Sequence, residues 1–295
     1  MGKIKMQSMN KTRVSRIMSG LKRELPILPG YILMVTWTVF IFFVIGWIIL
    51  ASLSTTREVF TGQLLASGVN FANFTRAFFQ HNGFLHLVNS MIYTAPSVTL
   101  IILVCAPAAY CMSRYTFWYN KPFLLMLLIG LAIPNVMIIM PLFSIISWLD
   151  MSGSRWTMIF LYTTIGIPFS TFFLIAFFKG ISISFEEAAA IDGCGPIKTF
   201  WLIMLPLARP AIMTLTIFNF ISRWNEYFLA LVFANRTELR PVGVGLRHIV
   251  VSLMTSGDWA GMFASVVIAF VPTVVIYIFL ANKIISGVTS GGIKG

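Results

Sequence analysis

The sequence predicts an all-α integral membrane protein of six transmembrane helices, on three observations: its composition, six long apolar runs, and where its basic residues fall. Of 295 residues, 58% are hydrophobic and 10% are charged, against roughly 25% charged in soluble domains. A water-soluble chain this apolar would expose large greasy patches of the kind that mark interfaces and membranes. Apolar stretches at residues 31–52, 87–112, 122–149, 156–178, 210–233 and 259–282 each match the roughly 20 helical residues that a hydrocarbon core requires. Five of the six contain no Asp, Glu, Lys or Arg. Continuous runs rather than short alternating segments select helices over a closed barrel.

The first run is too long for a signal-peptide core and lacks a small-residue cleavage site, so it is expected to stay as an anchor. Before it stand Lys3, Lys5, Lys11, Arg13, Arg16, Lys22 and Arg23, with Glu24 the only acid. A basic flank beside a span marks the cytoplasmic side and can touch anionic lipid heads. Six crossings then return the C-terminus to that side, and the basic residues divide as about fourteen cytoplasmic and six external, with Arg223 inside a span. Three of the external ones, Arg236, Arg240 and Arg247, crowd one loop. Trp47, Trp156 and Trp259 near span ends fit interfacial anchoring. The expected division is a basic cytoplasmic tail at 1–30, a transmembrane domain at 31–284 with one sizeable cytoplasmic loop at 179–209, and a cytoplasmic tail at 285–295.

The net charge of +12 comes with no aromatic interleaving and no nucleic-acid motif, so no nucleic-acid partner is expected. Cys105 and Cys111 lie in an apolar run and Cys194 in a polar loop, with no CxxC pair and no neighbouring His; neither a disulfide framework nor a metal site is expected. The external stretch 53–86 reads as a small ordered excursion with a short helix over residues 70–79. Pro134, Asn135 and Pro141 interrupt the third span, and Pro168 the fourth. Interrupted membrane helices are tolerated where they line a cavity, although a simple packing kink accounts for any one proline. Asn135 is the best placed mid-membrane polar group for solute contact. His81, His86 and His248 are predicted outside the membrane core.

The cytoplasmic loop carries the most specific pattern. In SFEEAAAIDGCGPIKTFWLIMLPLARP, starting at Ser184, Ser184 can cap a helix whose first turn holds Glu186 and Glu187, at the positive end of the helix dipole. Ala188, Ala189 and Ala190 propagate it, and Gly193, Gly195 and Pro196 stop or bend it. A second amphipathic turn follows through Ile197, Phe200 and Trp201, and Leu205-Pro206 and Pro210 lead into the fifth span. The prediction is two short surface helices around a hinge, with a smooth alanine face for close approach by another protein and a firm tie to a span.

Glu187-Ala188-Ala189, three residues, Gly193, nine residues, then Ile203-x-Leu205-Pro206 resembles the EAA motif of binding-protein-dependent ABC importer permeases, with every anchor at its expected spacing. Asn89-Ser90 in the second span, Trp224-Asn225-Glu226-Tyr227 in the fifth and the glycine-rich tail 287–295 are similar to the carbohydrate branch, the maltose-permease G type. Cys194 after the motif glycine and Trp201 are minor departures. The resemblance implies a type I ABC importer permease core in a bacterial cytoplasmic membrane, with both termini cytoplasmic. It implies that Glu186, Glu187, Ala188, Ala189, Ala190, Asp192, Gly193, Ile203, Leu205 and Pro206 couple the chain to an ATPase. It also implies a second homologous permease in a heterodimer, two ABC ATPase subunits that bind the ATP and Mg while this chain binds no cofactor, and an extracellular or periplasmic solute-binding protein that contacts the loop 234–258. The tail is implied to reach toward the ATPase dimer.

Asn135, Trp224, Asn225, Glu226 and Tyr227 are the candidates for the solute pathway. Arg223 and Glu226 are three residues apart, so on a continuous helix they share a face and can pair, about 20–24 Å from Pro210 along the axis. Either they face the transport route or the partner subunit, or they neutralise each other near the outer interface; the sequence leaves both open.

No GxxxxGK[ST] occurs. Gly195-Pro196-Ile197-Lys198-Thr199 has the wrong spacing to cradle phosphates, so the chain is expected not to hydrolyse ATP. Neither GxSxG nor HExxH is present, which speaks against an enzyme. An ion-coupled secondary transporter would call for intramembrane carboxylates or inverted repeats, and only Glu226 qualifies. Within the importer class, an anionic saccharide, a sugar phosphate, an amino acid or a peptide are the alternative cargoes to a neutral sugar or oligosaccharide. The basic external loop leaves the anionic option open.

Overall fold

The computed structural model describes residues 27–292, and among them there is no β-strand. The basic tail up to residue 26 and Ile293, Lys294 and Gly295 lie outside the described residues. The first predicted span is α1, Leu28–Ser52, almost wholly exposed along the outside of the bundle, where it meets the last helix. An excursion follows: α2 at Thr56–Thr61, α3 at Ala72–Thr75 and a wide π turn at Arg76–Gln80, close to the short helix expected there.

The second span is α4, Gly83–Arg114, which keeps Pro96 and Pro107 without breaking. The third is two helices, α5 at Asn120–Ala132 and α6 at Asn135–Trp148, meeting at 106°. Pro134 forces this corner. It lacks an N–H and drives the preceding residue out of helical geometry; Ile133 and Pro134 both take extended backbone, with ψ of 121° and 131°. Pro141, by contrast, sits inside α6, as Pro168 sits inside α7, Arg155–Gly180.

Next come α8 at Ser184–Ile191, α9 at Pro196–Thr199, a π turn at Phe200–Met204 and α10 at Leu205–Leu207. A 71° bend then leads into α11, Arg209–Trp224. The fifth span is shorter than predicted. It leaves helical geometry at Asn225, restarts as α12, Phe228–Phe233, and passes through a 3-10 turn at Thr237–Leu239. The stretch expected as an outer loop contains a further helix, α13 at Val242–Ser256, closed by left-handed Gly257 with φ of 76°. The last helix, α14, runs from Trp259 to Gly292 with no interruption at the predicted 284/285 boundary.

By length and apolar composition α1, α4 and α7 can each cross a membrane, and the two bent pairs can do so as units. A further apolar helix, α14, stands at the place of the sixth predicted span.

Two apolar cores hold the bundle. One gathers Ile101, Cys105, Ala109, Tyr110, Leu174, Phe178, Phe200, Met204 and Leu215 at the α8 end; the other gathers Tyr93, Ile146, Met158, Tyr162, Leu229, Phe233 and Val244 at the opposite end. Phe178 is fully buried, and truncating such a residue to Ala costs about 3–5 kcal/mol in a packed core.

Candidate functional site

The surface helix α8 is shaped at both ends by identifiable contacts. At its C-terminus the Cys194 N–H donates to the Ala189 carbonyl at 2.8 Å and the Gly193 N–H to the Ala190 carbonyl at 3.1 Å. This is a Schellman closure, which requires a left-handed residue just past the helix; Gly193 supplies it with φ of 76°. At the N-terminus Ser184 does not cap the helix as expected: its hydroxyl instead lies 2.7 Å from that of Ser182. The first turn is fixed by Glu186, which accepts from Arg114 Nε at 2.5 Å and from the Tyr110 hydroxyl at 3.3 Å. Arg114 also donates to the Ile181 carbonyl at 2.7 Å. The pair is largely shielded, with side chains 9% and 17% exposed, and Tyr110 is in turn packed edge-on against Phe178.

The residues expected to couple the chain to an ATPase divide by exposure. Ala189 is buried against the bundle, while Glu187, Ala188, Ala190, Asp192 and Gly193 face outward. Beside them Ile191 is 86% exposed and Ile197 76%. Ile203 and Leu205 are half-buried and Pro206 exposed in the segment that carries the π turn, whose Phe200 and Met204 are anchored in the core. A surface helix so tethered, with acids and bare aliphatic side chains outward, suits docking in a cleft of another protein.

Between the two cores lies a cavity of about 490 Å³, bordered by Gly130–Asn135 at the corner of the third span, Ile165–Phe169 of α7, and Phe218, Asn219, Ser222 and Arg223 of α11. Close contacts shape its walls. A Cβ on Gly130 would lie 3.0 Å from the Pro168 ring, and one on Gly166 would press into the Ile101 side chain and lie 3.1 Å from Asn219 Oδ1. Asn219 donates to Ser170 Oγ at 3.0 Å.

Arg223 is buried, 7% exposed, and its Nε has no hydrogen-bond partner among the described residues; its guanidinium carbon sits 5.9 Å from the centre of the Tyr162 ring. A charged group at mid-membrane costs about 2.5–3.5 kcal/mol on insertion scales. Of the two alternatives the sequence left open, a direct ion pair with Glu226 does not form. Glu226 accepts from the N–H groups of Leu229 (2.8 Å) and Ala230 (3.1 Å) and from the Tyr162 hydroxyl (3.3 Å), so it caps α12. Because the helix ends at Trp224, the i to i+3 geometry that the pairing needs is lost.

Of the five predicted pathway residues, Asn135 lines the cavity. Trp224 is buried, stacked on Phe220, and borders a separate apolar recess with Leu87, Met91 and Pro272. Asn225 folds back onto the Ile221 carbonyl at 2.9 Å, and Tyr227 packs edge-on to Phe228. Gly130, Gly166, Asn219 and Ser222 were missed as lining; the signals available were Asn219, a polar residue in an otherwise apolar run, and the small residues opposite Pro168.

At the far end, α4 grips the segment after α12. Asn89 donates to the carbonyls of Glu238 (2.8 Å) and Arg240 (3.1 Å), and Tyr93 to that of Leu239 (2.8 Å). Ser90 Oγ accepts from the Val242 N–H at 2.8 Å, and His86 Nδ1 lies 3.0 Å from the Arg240 carbonyl. A Cβ on Gly245 would collide with the His86 ring, so a glycine is needed for α13 to pack there. This clasp gives Asn89-Ser90 a physical role.

Bent apolar helices around a polar-lined cavity, with a tethered helix at one end, define a membrane transport subunit. The family described as "Binding-protein-dependent transport system inner membrane component" matches residues 102–289, and this chain belongs to it. It is thus a permease component of ABC importers, a class whose ATP hydrolysis resides in a separate subunit and whose solute comes from a binding protein. Among similar proteins, the sulfoquinovosyl glycerol transport system permease SmoH of Agrobacterium fabrum is 31% identical, covering 84% of this chain and 87% of that protein. The diacetylchitobiose uptake system permease NgcG of Streptomyces coelicolor is 28% identical, over 89% of this chain and 87% of that one. The fold matches a chain from the crystal structure of a bacterial ABC transporter involved in importing the acidic polysaccharide alginate, with a TM-score of 0.77, 24% identity, and coverage of 92% of this chain and 97% of that chain.

Proposed function

We propose that this chain is one of two non-identical membrane subunits of an ATP-driven saccharide importer, with both termini cytoplasmic and two ATPase subunits, which hold ATP and Mg, docked beneath it. The observation that carries this reading is the surface helix α8: lashed to α4 through Glu186 and Arg114, it offers Glu187, Ile191 and Asp192 outward. The saccharide assignment is supported by the names of relatives, among them permeases for maltodextrin in Streptococcus pneumoniae and trehalose in Mycobacterium tuberculosis.

In mechanism, closure of the ATPase pair displaces α8. The Arg114 contact passes that displacement to α4, and the walls around Asn135, Asn219 and Arg223 shift from inward-open to outward-open. A binding protein on the far side then releases its solute into the cavity.

The test is a photo-crosslinking side chain placed at Ile191 in the intact importer, combined with uptake of labelled saccharides by cells with and without the gene. Capture of an ATP-hydrolysing subunit and gene-dependent saccharide uptake are expected. Labelling of position 191 from outside the cell by a membrane-impermeant reagent would refute the orientation and the coupling role together.

A further inference from the structure

We propose that the cavity takes a saccharide bearing an acidic group, and that Arg223 is the residue that recognises this group. The inference rests on reading the chain as a saccharide permease and names the chemical class of its cargo.

Arg223 is a buried cation on the cavity wall with no carboxylate within ion-pair distance among the described residues. It makes no ion pair or side-chain hydrogen bond among the described residues, and its one noted partner is the face of Tyr162. The acid nearest in sequence, Glu226, is close enough for its charge to act on Arg223 but does not bind it directly, because both its oxygens hold the first turn of α12 and the Tyr162 hydroxyl. Turning Glu226 toward Arg223 would strip those donors. Other acids are engaged elsewhere: Glu186 by Arg114, Asp258 by Arg76, and Glu58 by the backbone of its own loop. None of the described acids borders the cavity.

The rest of the wall is neutral. Asn135, Asn219 and Ser222 can exchange hydrogen bonds with hydroxyls, and Phe169 and Phe218 offer flat apolar faces. The space of about 490 Å³ falls within the usual range of small-molecule sites. A planar guanidinium matches carboxylate, sulfonate or phosphate oxygens with paired donors. A neutral sugar could satisfy its N–H groups but would leave the buried cation without a directly bound anion.

The test uses the intact importer in cells, with trigalacturonate, glucose 6-phosphate and maltotriose as probes. Wild type is expected to take up at least one acidic probe more than about tenfold faster than maltotriose, the scale of one charge-assisted contact. Arg223→Gln is expected to lower that uptake by about tenfold or more. The amount of importer in the membrane should stay unchanged. Arg223→Lys, which keeps the charge, should recover part of the loss.

Preference for maltotriose, unaffected by Arg223→Gln, would overturn the acidic cargo and leave the saccharide reading standing. Uptake of amino acids or peptides and of none of the three probes would overturn both. Loss of ATP hydrolysis together with uptake in Arg223→Gln and Arg223→Lys alike would assign the arginine to subunit contacts and overturn the proposal.

Discussion

Arg114, the last residue of α4, and Glu186, in the first turn of α8, form an ion pair of 2.5 Å that, together with the Tyr110 hydroxyl, ties a membrane-spanning helix to the surface helix. Its strength comes from shielding. Exposed pairs contribute about 0–1 kcal/mol, whereas removing one member of a buried pair strands the other at a cost of about 3–5 kcal/mol.

Arg114→Ala and Glu186→Ala are therefore expected to lower uptake more than tenfold while leaving membrane insertion intact, since their main effect is on force transfer and the order of α8. Exchanging the two residues should restore part of the activity. Uptake and ATP hydrolysis measured on the same membranes separate loss of coupling from loss of assembly.

At Gly193 the damage from substitution should come from the backbone alone, because a Cβ there meets nothing within 4 Å. Gly193→Ala is expected to cost about 1–2 kcal/mol through its left-handed φ, and Gly193→Asn less. Hydrogen exchange at the Cys194 amide, which bonds the Ala189 carbonyl, should speed up in that order, Ala above Asn.

The excursion between α1 and α4 should be sensitive to acid. The Ser67 and Thr55 hydrogen bonds to Glu58 hold its carboxyl at a pKa of about 2, below the ordinary 4.5. A lowered folded-state value means the stabilisation is complete above about pH 4.5 and fades as pH falls toward about 2. The reporter is Trp259, edge-on to Phe60 of α2 at 5.7 Å: its fluorescence should change over that window in wild type, and the dependence should vanish in Glu58→Gln.

Glu226→Ala is expected to destabilise the subunit by about 1–3 kcal/mol, since it strands two N–H groups and the Tyr162 hydroxyl. Asn225→Ala, at an exposed side chain, should stay within about 0.5 kcal/mol. Thermal unfolding of the purified importer would rank the two, and equal effects would mean that Glu226 does not act as the cap of α12.

The shape of α8 was legible in the sequence because its chemistry is local: carboxylates in a first turn, alanines, then a glycine at the position needing positive φ. The corner in the third span was legible for the same reason, since Pro134 constrains its own neighbours. What escaped depended on where helices end. The pairing of Arg223 with Glu226 presumed a helix that in fact stops at Trp224, and the glycines of Val242-Gly243-Val244-Gly245 hid α13, whose formation depends on packing against His86 and Ser90. The cavity required three helices to be placed side by side, which no periodicity reveals.

The longest consequence belongs to α4. Its 32 residues make a rod of about 48 Å, with Arg114 fastened to α8 at one tip and His86, Asn89, Ser90 and Tyr93 hooked to residues 238–242 at the other. Under the proposed mechanism, a stiff strut joined to both mouths makes their timing mutual: as one mouth yields, the other is obliged to shut. A leak with both mouths ajar would require the strut itself to buckle, and Pro96 and Pro107 are the two joints at which it could.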